Sequence, residues 1–119
     1  MARAWWTLSL VLCCVAAGCS GNVAGGSIDG RRVYENACAT CHGEAGTPPP
    51  SMKAQLGVKD LRAPEFRSRV DRALVARQVR HGSANKLMPA FAGALTDAQI
   101  DAVSAYVVEQ LGTGPGKAR

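Results

Sequence analysis

The chain has 119 residues, of which 47% are hydrophobic, 5% aromatic and 19% charged, and its net charge at pH 7 is +5. This length suits one domain and excludes a multi-domain enzyme, a membrane helix bundle and a large binding scaffold. In residues 19–119, Leu, Ile, Val and Phe together number only 19 of 101, just under the roughly 20% that a self-sufficient core requires. We therefore expect a non-protein group to fill part of the interior.

An apolar run opens the chain. Arg3 precedes residues 4–18, which are apolar except for Thr7 and Ser9. As a helix this run would be about 22 Å long, short of a hydrocarbon core of about 30 Å. A positive start, a short apolar stretch and then small residues are the arrangement of a secretory signal. The sequence predicts removal of residues 1–18 and export to the periplasmic side of a bacterial cell envelope.

The end of the run, Ala16-Ala17-Gly18-Cys19, resembles the bacterial lipoprotein signal, in which cleavage falls before a cysteine that then carries lipid. An odd exposed cysteine in an exported protein otherwise needs an explanation. We therefore expect Cys19 to be lipidated and to anchor the protein to a membrane. Cleavage nearby that leaves Cys19 as a free thiol, and an uncleaved anchor, are the alternatives.

Two segments without hydrophobic periodicity flank the middle of the chain. Residues 19–29 are rich in Gly and Ser and are predicted to form a flexible tether. Residues 112–119 contain three Gly and one Pro and are predicted to form a disordered tail. The folded domain is expected over residues 30–111, as a monomer.

The run Cys38-Ala39-Thr40-Cys41-His42 is the signature of covalent c-type haem attachment. Two thiols about one helical turn apart can add to the two vinyl groups along one edge of the porphyrin. The adjacent imidazole then lies under the ring and binds the iron. The run predicts one haem c, held by Cys38 and Cys41, with His42 as an axial ligand.

Three other roles of the two cysteines stay open. A thioredoxin-like redox pair needs a strand–helix context, and no convincing strand is found in the sequence. A zinc site with His42 and His81 would have to use Cys41 and His42 as adjacent ligands, which is awkward for tetrahedral closure. A plain disulfide is the third alternative. Export and the shortage of core residues favour haem attachment.

Met52, His81 and Met88 are the candidates for the second axial ligand. Met88 lies between two helical patterns, and Pro89 restricts the loop that carries it. Met52 follows His42 by only ten residues and would hardly reach the opposite haem face. His81 lies at a predicted helix C-terminus, where a cation is favourable without any role in ligation. We therefore predict axial ligation by His42 and Met88.

The apolar pattern predicts helices. Thr96 and Gln99 have the spacing of a capping box, which opens a helix. Two apolar stripes at helical spacing are formed by Ile100, Val103, Val107 and Leu111, and by Val70, Leu74, Val75 and Val79. Gly82 follows the second stripe as a stop signal. The sequence thus predicts an all-α protein.

With these residues the sequence resembles class I cytochrome c of the compact bacterial type over nearly all of residues 30–111. The resemblance is carried by four stretches: Gly30 and Tyr34 before the haem cysteines, residues 60–82, Met88-Pro89 with Phe91, and residues 95–107. It implies about four helices around one haem, with the first and last helices crossing at Gly30 near Tyr34 and Tyr106. It also implies that a proline carbonyl orients His42, for which Pro48, Pro49 and Pro50 are available.

The expected function follows from the ligands. Iron bound by both His42 and Met88 has no open position for a substrate, and a thioether ligand raises its reduction potential. This indicates a single-electron carrier, not an enzyme, with redox proteins such as respiratory complexes as partners. The alternative is a haem-c subunit or sensor whose open iron site binds a ligand or peroxide.

The middle of the chain is basic. This basic segment is either a solvated face or a docking surface for an acidic redox partner. Its basic residues outnumber its acidic ones, with Lys59, Arg62, Arg67, Arg69, Arg72, Arg77 and Arg80 on one side and Asp60, Glu65 and Asp71 on the other. Nucleic acid is excluded as a partner because the chain is exported and its basic residues are not interleaved with aromatics.

Overall fold

The computed structural model describes residues 22–111, so the predicted signal, Cys19 and the predicted tail lie outside the described residues. The described part contains six helices: α1 (Gly30–Ala37), α2 (Ala39–His42), α3 (Pro50–Leu56), α4 (Pro64–Arg67), α5 (Arg72–His81) and α6 (Asp97–Glu109). Two of these, α2 and α4, are single turns of four residues. No strand forms between residues 22 and 111. The all-α prediction is confirmed.

Side-chain caps determine where the longer helices begin. The carboxylates of Asp29 and Asp71 accept backbone N–H groups in the first turns of α1 and α5. The predicted capping box of Thr96 and Gln99 is present at the start of α6, where it satisfies two N–H groups that would otherwise lack partners. Gly82, at φ 70°, ends α5 as expected.

Helices α1 and α6 cross at Gly30. A Cβ atom on Gly30 would overlap the carbonyl oxygen of Ala102 and would come within 3.0 Å of the Tyr106 Cβ. The rings of Tyr34 and Tyr106 pack beside the crossing, with their centroids 5.5 Å apart. The crossing implied by the resemblance is therefore confirmed, and it depends on the missing side chain of Gly30.

Helix α6 packs against both α1 and α5. Its apolar stripe is buried as predicted, together with residues of α1 and α5, and the shared core contains Val33, Tyr34, Val75, Val79, Ile100, Val103 and Val107. Leu74, which the sequence assigns to the stripe of α5, is instead 36% exposed. The core therefore consists mainly of small aliphatic side chains on either side of α6.

Residues 22–29, which we call the strap, lie in the segment that the sequence predicts to be a flexible tether, and they are hydrogen-bonded to α6. The side chain of Gln99, which is 1% exposed, binds the strap at three points. Its Oε1 accepts a hydrogen bond from Asn22 Nδ2 at 2.9 Å, and its Nε2 donates to the carbonyls of Gly25 at 2.9 Å and Ser27 at 2.8 Å. A buried amide of α6 thus supplies partners for the polar groups of the strap, a contact that the prediction of a tether did not include.

Arg67 fastens α4 to the end of α6. Its Nη1 and Nη2 donate to the carbonyl oxygens of Val107 at 2.9 Å and Val108 at 2.5 Å. These carbonyls belong to the last turn of α6, where backbone acceptors lack helical partners and a positive charge is favourable. Arg67 therefore has a structural role, although the sequence places it only in the basic middle of the chain.

The Gly30 crossing can be tested by adding one methyl group. We expect Gly30→Ala to lower the free energy of unfolding by about 1–3 kcal/mol, the usual cost of overpacking. The matched control is Gly26→Ala on the strap, because a Cβ atom on Gly26 would meet nothing within 4 Å. Thermal unfolding followed by circular dichroism measures both. Equal midpoints for the two variants would contradict the account of the crossing.

Candidate functional site

A cavity of about 560 Å³ lies between the core helices and the loops that follow α3 and α5. All four residues predicted to bind the haem line it, namely Cys38, Cys41, His42 and Met88. The other two candidate ligands, Met52 and His81, do not line it. The structure thus brings together residues from both halves of the chain that the sequence analysis selected separately.

Cys38, Cys41 and His42 are held on one short helix. Cys38 is the N-cap of α2, and its carbonyl accepts hydrogen bonds from the backbone N–H groups of Cys41 at 3.2 Å and His42 at 3.0 Å. One turn of helix therefore directs all three side chains toward the same cavity. Burial, together with the nearby Cys41, raises the pKa of the Cys38 thiol to about 11, so that Cys38 is a neutral thiol at neutral pH.

The imidazole of His42 is oriented by a backbone carbonyl. Its Nδ1 lies 2.9 Å from the carbonyl oxygen of Lys59. Because a carbonyl can only accept, Nδ1 carries the proton, and Nε2 keeps the lone pair that a metal requires. Burial lowers the pKa of His42, although the bond to Lys59 acts in the opposite direction. A neutral imidazole with a free Nε2 is the form that binds iron.

The carbonyl of Lys59 replaces the proline carbonyl that the resemblance implies. Pro49 and Pro50 are used instead to start α3, where Pro49 is the N-cap and Pro50 the first residue. The Pro49 carbonyl accepts the backbone N–H of Lys53 at 3.0 Å as part of that helix. The expectation that Pro48, Pro49 or Pro50 orients His42 is wrong, because the chain returns to His42 only after α3.

Tyr34 fixes the turn that follows His42. Its side chain is fully buried, and its hydroxyl donates to the Gly43 carbonyl at 2.7 Å. Gly43 has φ 79°, and a Cβ atom there would overlap the Thr47 carbonyl. The sequence analysis treats Tyr34 only as a core residue. No signal in the sequence identifies its hydrogen bond or that of the Lys59 carbonyl, since both have a backbone carbonyl as one partner.

Met88 is held by a loop that closes on Ser83. The backbone N–H of Met88 donates to Ser83 Oγ at 3.0 Å, and the Met88 carbonyl accepts the N–H of Ser83 at 2.9 Å. Lys86, between them, adopts φ 61°, a conformation that few residues other than Gly tolerate. Two hydrogen bonds therefore fix the half-buried Met88 against the cavity, in addition to the restriction that Pro89 imposes.

The alternative roles of the cysteines find no support in residues 22–111. No group of three or more His, Cys, Asp or Glu side chains in this range could hold a metal ion. His81 is exposed and lies off the cavity that His42 lines, which removes the proposed zinc partner. A thioredoxin-like pair requires a strand before the helix, and this part of the chain has none.

The cavity fits a haem. Its volume lies within the roughly 300–1,000 Å³ typical of ligand and cofactor sites. Its walls are mainly apolar, with Leu56, Leu61, Phe66, Val70, Leu74, Val75, Val79, Leu87, Phe91, Val103 and Val107. The donor set on those walls consists of two thiols, one neutral imidazole and one thioether. Facing this cavity also explains why Leu56, Leu74 and Leu87 are 39%, 36% and 54% exposed.

Comparisons with known proteins show the family to which the chain belongs. The family model described as "Cytochrome C oxidase, cbb3-type, subunit III" matches residues 28–107. The chain is 37% identical over 86 residues to cytochrome c6 of Parathermosynechococcus lividus, covering 72% of this chain and 92% of that protein. It is 32% identical over 85 residues to the cbb3-type cytochrome c oxidase subunit CcoP of Azospirillum brasilense, covering 71% of this chain and 28% of that protein.

Solved structures show the same fold. The KustC0563 c-type cytochrome matches with a TM-score of 0.60 and 26% identity, over 67% of this chain and 94% of that one. The sequence match, the helical fold and the apolar cavity thus lead to one conclusion. The chain belongs to the cytochrome c family. It is a class I monohaem cytochrome c, which binds haem c covalently and carries electrons.

Proposed function

We propose that this protein is a single-electron carrier of a bacterial respiratory or related chain at the cell envelope, with its haem bonded to Cys38 and Cys41 and its iron bound by His42 and Met88. The observation that carries this proposal is that these four side chains, and neither Met52 nor His81, line one cavity. When bound, haem c supplies a one-electron couple whose potential a thioether ligand raises.

The proposed iron ligands, His42 and Met88, are each held in place by hydrogen bonds to other residues of the protein. The Lys59 carbonyl holds His42 Nδ1, and Ser83 holds both backbone groups of Met88. A closed iron site with two fixed ligands has no position for a substrate and needs no rearrangement between its two charge states. This arrangement supports electron transfer over ligand binding or peroxide chemistry.

Redox proteins are the proposed partners, with respiratory complexes among them. Apart from His42, the charged side chains that line the cavity are those of Lys59 and Arg69. Both are basic. Other basic residues of the middle of the chain are bound elsewhere: Arg72 pairs with Glu109, and Arg80 with Asp97 at 3.3 Å. The proposed docking surface is centred on the cavity rim, where Lys59 and Arg69 favour an acidic partner.

Export and lipidation at Cys19 complete the proposal. They are supported by the apolar run of residues 4–18 and by the Ala16-Ala17-Gly18-Cys19 junction. In the described residues no helix is long and apolar enough to cross a membrane. A lipid on Cys19 would hold the carrier at the membrane whose redox complexes it serves.

Covalent attachment is tested by extraction. Acid–acetone treatment of the denatured holoprotein should leave the haem colour on the polypeptide, because thioether bonds survive this treatment. The Cys38→Ser/Cys41→Ser variant should release all of its colour. Full extraction of colour from the unmodified protein would contradict the assignment of the two cysteines.

The axial ligand is tested by opening the site. Ferrous Met88→Ala should bind carbon monoxide and its reduction potential should fall, because the thioether is lost. Met88→His should also have a lower potential but should stay closed to carbon monoxide. Visible spectra and potentiometric titration measure both effects.

His81→Ala and Met52→Ala are the matched controls for Met88→Ala. Both should keep the spectrum and the potential of the unmodified protein, since neither side chain lines the cavity. If the His81→Ala variant bound carbon monoxide while the spectrum of the Met88→Ala variant stayed unchanged, the second axial ligand would be His81. Binding of carbon monoxide by the unmodified protein would instead favour the open-site sensor or subunit.

A further inference from the structure

Two exposed hydrophobic side chains are left unexplained by the haem site. Within residues 22–111 the large hydrophobic side chains that are exposed are Val23, Ile28, Leu56, Leu74 and Leu87. The three leucines line the cavity. Val23 and Ile28, 51% and 68% exposed, lie on the strap, and electron transfer requires neither of them.

The strap presents these side chains from an ordered backbone. Asn22 Oδ1 accepts the N–H of Ala24 at 3.0 Å, and the Asn22 carbonyl accepts the N–H of Gly25 at 3.1 Å. Ala24 is 3% exposed, so the turn directs Ala24 inward and leaves Val23 outside. Gln99 fixes the same turn to α6 through the three hydrogen bonds described above. Val23 and Ile28 are therefore exposed on a backbone that is held by hydrogen bonds at neighbouring residues.

The chain that leads to the strap is short. Asn22 follows Cys19 by three residues, so their Cα atoms are at most about 11 Å apart. A flexible tether over residues 19–29 would let the domain move freely above a bilayer. Because residues 22–29 are bound to α6, a lipid on Cys19 brings the strap itself to the membrane surface.

We propose that the strap is a lipid-contact surface, at which Val23 and Ile28 enter the interface of the bilayer beside the acylated Cys19. This inference rests on the lipidation in the proposed function. The charges next to the strap balance, since Arg31 and Arg32 are matched by Asp29 and Glu35, and Arg31 pairs with Glu35 at 2.8 Å. Apolar insertion therefore drives the contact, and an uncharged phosphatidylcholine surface suffices.

The strap and the cavity use different residues of α6. Gln99 holds the strap, whereas Val103 and Val107, which follow Gln99 by four and eight residues, line the cavity. No strap residue lines the cavity, so contact of the strap with lipid does not occupy the cavity lining.

Tryptophan substitution tests the inference in the lipidated holoprotein. The two native tryptophans, Trp5 and Trp6, lie in the predicted signal, so the mature protein has no tryptophan of its own. Val23→Trp and Ile28→Trp place a reporter on the strap, and Ala54→Trp places the matched control on an exposed position of α3. Each protein is inserted into phosphatidylcholine vesicles with or without bromine on the acyl chains.

We expect the two strap variants to lose most of their emission in the brominated vesicles relative to the plain ones, and the Ala54→Trp variant to lose none. The ratio removes any quenching by the haem, which is the same in both vesicles. An unchanged visible spectrum shows that each variant is folded. Equal emission of the strap variants in both vesicles, or equal quenching of all three variants, would overturn the inference.

Flotation and mass spectrometry distinguish a failure of the lipid contact from a failure of the lipidation on which it depends. The protein without substitutions should float with the vesicles and should carry an acyl mass on Cys19. The Cys19→Ala variant should do neither. Flotation without quenching of the strap variants would overturn the lipid contact alone. An unmodified mature N-terminus would overturn both the lipidation and the lipid contact.

Discussion

The fold depends on filling the cavity between α6 and the ligand loops. This cavity of about 560 Å³ is lined mainly by apolar side chains. Leaving those side chains in contact with water forgoes the main favourable contribution to folding, which is the removal of apolar surface from water. Among the described residues the buried hydrophobic core has twelve members, of which five are valines, two are alanines and one, Tyr34, is aromatic. We infer that haem c, which this family binds covalently, completes the hydrophobic core in addition to being the redox group.

The scaffold around this cavity is held by a small number of hydrogen bonds at its loops. The Lys59 carbonyl sets the ring plane of His42, Tyr34 fixes the Gly43 turn, and Ser83 fixes Met88. Arg67 ties α4 to the end of α6, and Gln99 ties the strap to its start. Both ends of α6 are therefore anchored by side chains, and its middle faces the cavity. This division lets one helix serve the core, the cofactor and the N-terminal segment together.

The features that the sequence predicted are those carried by local spacing of side chains. The capping box of Thr96 and Gln99 depends on two side chains at a fixed spacing, whereas the close approach at Gly30 was implied by the resemblance to class I cytochrome c. The choice of Met88 over His81 was also available from sequence, because Pro89 and the helix end at Gly82 distinguish their surroundings. In the structure Met88 lines the cavity and His81 does not, and ligation by Met88 stays a proposal.

The features that the sequence missed depend on contacts between distant backbone groups. Every residue has a carbonyl, so nothing in the sequence indicated that Lys59 would orient His42 across 17 positions. The strap looked flexible because Gly and Ser predominate in it, and its order depends on one amide 77 positions from Asn22. The sequence left the basic middle open as a solvated face or a docking surface, and it did not indicate that α6 provides partners for Arg67, Arg72 and Arg80.

The thermal unfolding of the protein without haem tests the central claim most directly. The Cys38→Ser/Cys41→Ser chain, freed of haem, is compared by circular dichroism with the holoprotein, and haem added back to the same variant serves as the control for the substitutions. If haem completes the core, the haem-free chain has reduced helix content and no cooperative transition, and added haem restores both. A sharp transition of the haem-free chain at the midpoint of the holoprotein would contradict the account.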